Sequence, residues 1–373
     1  MSTCAACRRR TALVAALSPW IDRGARRRRG GEGALLARAE RDLLDALGCD
    51  APPPLAADAE LLARERHHHA HDGILAVCRH DPRYPVRLEQ LEDPPAVLHL
   101  RGAGAPLLEE LGAGDRPVVA IVGARRAPEE GRRVADGLGE QLARAGVLVL
   151  SGMAYGVDAA AHGGALRAAE DGAGGGHATA AVLGGGVDRA SPSGLHRLFG
   201  RLVAQGTVLA ELPPGTQPRR WTFPARNRLI AALADAVVVV SAATGSGSLI
   251  TAELAQDLGR PVGAVPGSVL DDRQAGTNRL LRDGATPVLD LDDVAAMLGT
   301  ELVLDRPGPA RDGAPGDPVV AEIAARLRRR SRMLDELLAG EAAPAAVHAA
   351  LSELEARGQV RRGLDGRLSW NGN

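Results

Sequence analysis

The chain contains no lysine. All 45 of its basic residues are arginine. This reads first as the coding bias of a high-GC gene and only secondarily as phosphate recognition. Aromatic residues are scarce: three tryptophans, two tyrosines and two phenylalanines, so any exposed ring carries more weight. The four cysteines, Cys4, Cys7, Cys49 and Cys78, are too few for a disulfide framework. Cys4-x-x-Cys7 has the form of half a zinc site, but no second CxxC follows, so no metal is expected. No apolar run reaches ~18 residues, which excludes a membrane-spanning helix. The arginine-rich start lacks the apolar stretch of a secretion signal, and a cytoplasmic location is the expectation. There is neither a GxGxxG fingerprint nor a Walker loop, so a dinucleotide or ATP site is unsupported and no cofactor is expected. Net charge is −1. A nucleic-acid site must therefore be a local basic patch rather than a property of the whole surface.

What is present centres on Val118 to Leu166. Val118 to Val122 is a short, β-branched apolar run ending at Gly123, the mark of a strand buried on both faces. A loop with Arg125 and Arg126 leads into a helix carrying Val134, Leu138 and Leu142 on one face. Gly146 ends that helix, Val147 to Leu150 is a second buried strand, and Ser151-Gly152 turns into a helix beginning near Asp158. This is a βαβ unit with a right-handed crossover. Further strands are expected at Val97 to Leu100, His177 to Leu183, Thr207 to Leu209, Ala236 to Val240, Val262 to Val265 and Val288-Leu289. Helices are expected at about 195–205, 225–234, 248–258 and 277–283. The alternation predicts an α/β fold with a doubly wound, mainly parallel sheet.

Length, at 373 residues, allows two or three domains. Residues 1–73 read as an N-terminal helical module, residues 74–300 as the α/β core, 301–317 as a Pro/Gly/Asp-rich linker and 318–373 as a C-terminal domain. In the first segment, leucines suggest short amphipathic helices. Arg23 to Arg29 holds five arginines in seven positions, a solvated loop or a phosphate-contacting one. His67, His68, His69 and His71 read as linker rather than ligands. In the tail, Leu334, Leu337 and Leu338 mark one helix and Val347, Leu351 and Leu354 the next. Gly358 caps it, and Val360 to Trp370 pairs about Leu364-Asp365-Gly366. Helices followed by a small hairpin suggest a winged helix.

In open α/β sheets ligands bind at the carboxyl ends of the strands, where helix starts offer free N–H groups to anions. The loops there carry Gly123, Arg125, Arg126, Ser151, Gly152 and Tyr155. Arg226, Asn227 and Arg228 lie near a helix start, and Ser246, Gly247 and Ser248 open another. Glycines let a ligand approach the backbone, and arginine and serine bind phosphate oxygens. Asp158 and His162 stand four apart on one helix. The helix dipole accounts for the first, and packing or a hydrogen bond to Asp158 accounts for the second. Asp188 and Glu211 follow separate strands, and sequence does not give their distance. No catalytic residue is assigned.

The stretches VGARRAPEEGRRVA (122–135), SGMAYGVDAAAHGGAL (151–166), AVLGGGVD (181–188), ELPPGTQP (211–218), FPARNRLIAAL (223–233), SGSLITAELA (246–255) and GRPVGAVPG (259–267), together with Asp81 to Gly102, resemble the bacterial DNA-processing protein A family, DprA or Smf. The resemblance covers about residues 80–300. It implies an extended Rossmann-like core, often flanked by an N-terminal helical module of the SAM or helix-hairpin-helix kind and a C-terminal winged helix. It implies a homodimer that binds single-stranded DNA, helps load a RecA-type recombinase in natural transformation, and is not an enzyme. It also places Arg125 and Arg226-Asn227-Arg228 in a basic DNA pocket. The chain departs from the family pattern at Tyr155 (usually Arg), Ser191 (usually Tyr) and Ser241 (usually Glu). The alternative is a nucleotide-acting enzyme of the lysine-decarboxylase-like phosphoribohydrolase type. Those enzymes carry a PGGxGT loop, whereas here Pro266-Gly267 continues as Ser268-Val269.

Overall fold

A computed structural model of the chain describes residues 3–25, 36–49, 53–113, 116–172, 177–302, 318–329, 334–338, 343–356, 360–362 and 368–370. Arg26 to Arg29, nearly all of the linker, Gly358 and the Leu364-Asp365-Gly366 turn lie outside the described residues. The chain divides into two compact units, Met1–Asp305 and Arg306–Asn373.

The first unit opens with helices α1 (Ala5–Ala25), α2 (Glu40–Leu47) and α3 (Asp58–Asp72). Strands β1 (Leu75–Cys78) and β2 (Val97–Gly102) follow, then α4 (Gly104–Ala113). The βαβ unit is β3 (Val118–Gly123), α5 (Glu129–Arg144), β4 (Leu148–Ser151) and α6 (Val157–Glu170). Next come β5 (Thr179–Val182), α7 (His196–Gln205), β6 (Thr207–Ala210), α8 (Thr222–Leu233) and β7 (Ala236–Ser241). The unit ends with α9 (Gly247–Asp257), β8 (Val262–Ala264), α10 (Ala275–Arg282), β9 (Thr286–Pro287) and α11 (Leu291–Leu298). The nine strands form one sheet in the order β1-β2-β6-β5-β4-β3-β7-β8-β9. From β6 to β9 all neighbours are parallel, while β1 and β2 add an antiparallel edge. The doubly wound, mainly parallel sheet read from the sequence is the architecture found.

Alternation along each strand feeds two cores. In β3, Val118, Ala120 and Val122 point to the face covered by α4, α8 and α9. Val119 and Ile121 point to the opposite face, where α5, α6 and α11 bury Leu138, Leu142, Ala161, Ala165 and Val294. Both faces being dry explains why these strands read as continuous apolar runs. The chain winds from β3 outward through β4, β5 and β6, then returns to place β7 on the other side of β3. That reversal opens a crevice at the carboxyl ends of β3 and β7.

Some local expectations shift. The last strand is Thr286–Pro287, two residues ahead of Val288-Leu289; the Val288 N–H still donates to the Ala264 carbonyl at 3.0 Å, and the pairing with β8 runs out there. The histidine tract is helical, not linker: it forms the last turns of α3. His68 pairs with Asp72 at 2.8 Å, and the His67 and His71 rings stack at 4.2 Å. The N-terminal helices pack on the core. Leu13, Leu17 and Ile21, on one face of α1, are fully buried with Leu43 of α2 and with Leu212, Trp221 and Ala225. The Trp221 indole N–H donates to Ser18 Oγ at 2.9 Å.

The second unit holds α12 (Pro318–Arg329), α13 (Leu334–Leu338), α14 (Pro344–Ala356) and an antiparallel ribbon, β10 (Val360–Arg362) with β11 (Leu368–Trp370). Ile323, Leu327, Leu337, Val347, Leu351, Leu354, Val360 and Leu368 form its own core.

Candidate nucleic-acid interface

The crevice between β3 and β7 deepens into a cleft of about 520 Å³. Gly123, Arg125, Asp158, Arg220, Phe223, Arg226, Asn227, Ser246, Gly247 and Ser248 line it. Arg125 and Arg220 are exposed at the mouth, and the Arg125 guanidinium sits 5.0 Å from the centre of the Phe223 ring. A cation over a ring face is held in position while its N–H groups stay available. The Ser246 side chain makes no capping bond to the α9 backbone; its hydroxyl lies 2.9 Å from that of Ser248. The first N–H groups of α9 thus meet the cleft without a side-chain cap, and they carry the positive end of the helix dipole. Asn227 spans the cleft wall, donating from Nδ2 to the Gly247 carbonyl at 3.2 Å.

Other predicted residues lie elsewhere or face inward. Ser151 is fully buried and its hydroxyl donates to the Ile121 carbonyl at 2.6 Å. Gly152 stands against Arg226, where a Cβ would fall 2.2 Å from the guanidinium, so glycine alone leaves room for that cation. Arg226 itself is buried. Its Nη1 donates to the Gly152 carbonyl at 2.5 Å and to the Val182 carbonyl, and its Nε to Asn227 Oδ1 at 3.1 Å. Burial lowers its pKa to about 10, against the attraction of Asp158 and aided by the repulsion of Arg125. It lines the floor of the cleft as a fixed positive charge. Arg228 is buried behind the cleft. Its Nε donates to Asp93 at 2.8 Å and its Nη2 to Glu211 at 2.9 Å. Arg126 is exposed outside the cleft lining.

Tyr155 also lies outside the lining. Its ring is 46% exposed, and its hydroxyl lies where a Cβ on Gly194 would come within 2.3 Å. The loop that carries it is tightly drawn. Gly156 adopts φ +81°, and a Cβ there would strike the Ala124 carbonyl at 2.3 Å. Met153 holds φ 54° with its side chain fully buried.

Asp158 is the anchor of this loop: its Oδ2 accepts from the N–H groups of Gly152 and Ala154, both at 3.2 Å. Burial raises its pKa, opposed first by Arg226. His162 does not bond to Asp158. It is fully buried, and its Nδ1 donates to Thr179 Oγ1 at 2.7 Å, which in turn donates to the Val149 carbonyl at 2.7 Å. Asp188 and Glu211 are each committed to local partners: Asp188 to Arg189 and the Gly215 N–H, Glu211 to Arg228. Sequence reasoning missed Arg220 and Phe223 as cleft residues. The signal for Arg220 was the run Arg219-Arg220-Trp221, in which the buried Trp221 stands at the start of α8 and leaves Arg220 exposed at the rim.

Burial depresses His162 to about 3 and His99 to about 4. Both are neutral in the folded chain and titrate near 6.5 once unfolded. The unfolded state therefore binds more protons below pH 6.5, and the stability these groups supply is lost as pH falls from there towards 3. For His162 alone, going from pH 7 to pH 5 should cost about 2 kcal/mol. Asp93, lifted by burial to about 6, acts in the opposite direction, so the measurement is a difference. Urea unfolding of the wild type and of His162→Gln at both pH values should show a smaller acid loss in the variant. An equal loss in both would remove His162 from the account.

The fold and the cleft define a class: a Rossmann-type α/β protein whose crevice at the strand reversal carries cationic side chains and an uncapped helix start. The sequence profile of the family described as DNA recombination-mediator protein A matches residues 76–299, and the chain belongs to that family. It is 37% identical over 237 residues to Protein Smf of Synechocystis, covering 64% of this chain and 57% of that one; it thus spans less than two thirds of that relative. The solved DNA processing protein A (DprA) of Streptococcus pneumoniae superposes with a TM-score of 0.57 at 31% identity, over 79% of this chain and 98% of that chain. DNA processing protein A from Helicobacter pylori, described for its single-stranded DNA binding mode, gives a TM-score of 0.53 at 28% identity, over 61% and 97%. Among the described residues no helix is long and apolar enough to cross a membrane.

Proposed function

We propose that this chain binds single-stranded DNA and acts as a cytoplasmic, non-catalytic mediator that delivers the strand to a RecA-type recombinase, as a homodimer. The observation that carries the reading is the cleft at the β3/β7 reversal, where Arg125, Arg220 and Arg226 surround an uncapped helix start in a chain of net charge −1. Phosphates supply the affinity and the site has little means of reading bases. The cleft contacts are assigned to Gly123, Arg125, Arg220, Asn227, Ser246, Gly247 and Ser248, with Arg226 as floor charge. Ser151, Gly152 and Arg228 support the loops from behind. The same reading divides the chain into a helical module to residue 73, a core to 300, a linker to 317 and a winged-helix domain from 318; three helices and a two-stranded ribbon in the second unit support the last.

The test is a mobility-shift titration with single- and double-stranded oligonucleotides over a range of salt. Preference for single strands, with affinity falling as salt rises, is expected. Binding indifferent to salt would sink the reading. Tyr155→Ala refines it. On this reading the half-exposed ring stacks on a base, and its removal should weaken single-strand binding by ~1–3 kcal/mol without changing the salt slope. If Tyr155→Ala lowers only thermal stability, the ring serves to pack Gly194 and its loop.

A further inference from the structure

The Cys4-x-x-Cys7 pair at the start of the chain has partners after all. They are Cys78 and His80, more than seventy residues away and spaced C-x-H, so no repeat of CxxC points to them. Cys4 and Cys7 lie at the entrance and in the first turn of α1; Cys78 is the last residue of β1, and His80 follows in the turn. The four ligand atoms all lie within 4.8 Å of one another. His80 Nδ1 is 3.4 Å from the sulfurs of both Cys4 and Cys7.

We propose that Cys4, Cys7, Cys78 and His80 form a closed tetrahedral zinc site that fastens helix α1 to the sheet edge. The spacing fits the ion. Ligands at ~2.3 Å (sulfur) and ~2.0 Å (nitrogen) from a tetrahedral centre stand about 3.5–3.8 Å apart, close to the 3.4 Å observed for His80. A polynuclear iron–sulfur cluster would hold its thiolates farther apart than this group does. Three thiolates and an imidazole are the soft, four-ligand set that selects zinc, and four protein ligands leave no open position, which marks a structural rather than a catalytic site. The surroundings favour it. Cys7 and Cys78 are buried with Ala76 and Val97, and the exposed His80 closes the site from the solvent side.

The chain is pinned around this point by other contacts. The Thr3 N–H and hydroxyl donate to Glu65 at 3.1 and 2.6 Å, and Arg8 forms a two-pronged pair with Asp58 at 3.0 and 3.1 Å. A zinc ion would add a link that neither pair supplies, from α1 directly to β1. Binding releases the thiol protons, so metal affinity should weaken as pH falls.

The experiment uses the full chain, purified without a histidine tag and without chelator. Metal analysis should find one zinc per chain. After removal with a chelator, added cobalt(II) should give the intense visible absorption of a tetrahedral site and a thiolate-to-cobalt charge-transfer band. The chelated protein should also unfold at a lower temperature, and zinc should restore it. His80→Asn, at an exposed position, should weaken zinc binding at least tenfold while the chain stays folded; Cys78→Ser should abolish the cobalt spectrum. His69→Asn in the nearby histidine tract should change nothing. The proposal is overturned if the purified chain holds no metal and gives no cobalt spectrum with all four thiols reduced. It is equally overturned if mass measurement shows Cys4 and Cys7 joined as a disulfide, or if zinc is lost in His69→Asn but kept in His80→Asn.

Discussion

Arg228→Ala should destabilise the first unit by about 3–5 kcal/mol, because it leaves Asp93 as a buried carboxylate without its counter-ion. The Arg228 side chain is 4% exposed and that of Asp93 6%. Three hydrogen bonds run from the one guanidinium to Asp93 and to the Ala225 carbonyl, and a fourth reaches Glu211. Removing the cation leaves the desolvation of Asp93 uncompensated until its carboxyl takes up a proton, so the loss should be largest at neutral and higher pH. Removing both charges should cost less. Arg228→Met combined with Asp93→Leu should recover part of the loss, since Glu211 is more accessible and can turn to water. Urea unfolding of the three variants measures this. A loss below about 1 kcal/mol in Arg228→Ala would show the pair to be better solvated than its geometry indicates. Under conditions where the variant is folded, its DNA-binding salt slope should match the wild type, which separates a supporting residue from a phosphate contact.

The second large effect belongs to the cleft mouth. Arg125→Ala with Arg220→Ala should lower single-strand affinity by tenfold or more, at least ~1.4 kcal/mol. The double variant should also flatten the logarithmic salt slope by about 1.4, near 0.7 for each phosphate contact removed. Both side chains are exposed, and neither is needed for the core, so thermal stability should hardly move. Salt titrations of the single and double variants decide it. An unchanged slope would place the phosphate path somewhere other than this cleft.

The sheet was legible because buried parallel strands leave an unmistakable trace: β3, β4 and β7 are apolar on both faces and end in Gly123, Ser151 and Ser241. The loops at those ends were legible for the same reason. What sequence could not give was the direction of each arginine. Arg226 and Arg228 stand two apart on α8, and both turn inward, one under the cleft to backbone carbonyls and one behind it to carboxylates. Only packing decides this, because residues two apart on a helix face different neighbours. The strand Leu75–Cys78 and the helical histidine tract were missed through weak periodicity: β1 has four residues, and α3 buries none of its side chains fully. The juxtaposition of Cys4 and Cys7 with Cys78 and His80 depends on α1 docking at the sheet edge, which local pattern does not encode.

The final strand of the sheet sets a limit on how copies of this protein can associate. Strand β9 has only two residues, and one of them is Pro287. Its outward side offers almost no ladder, and proline has no N–H to give. A second chain cannot add a strand there and continue the sheet, which also protects the molecule from edge-to-edge aggregation while the large parallel sheet assembles. At this edge, contact with another chain is left to the side chains of helices and loops, where side-chain fit rather than backbone pairing selects the partner.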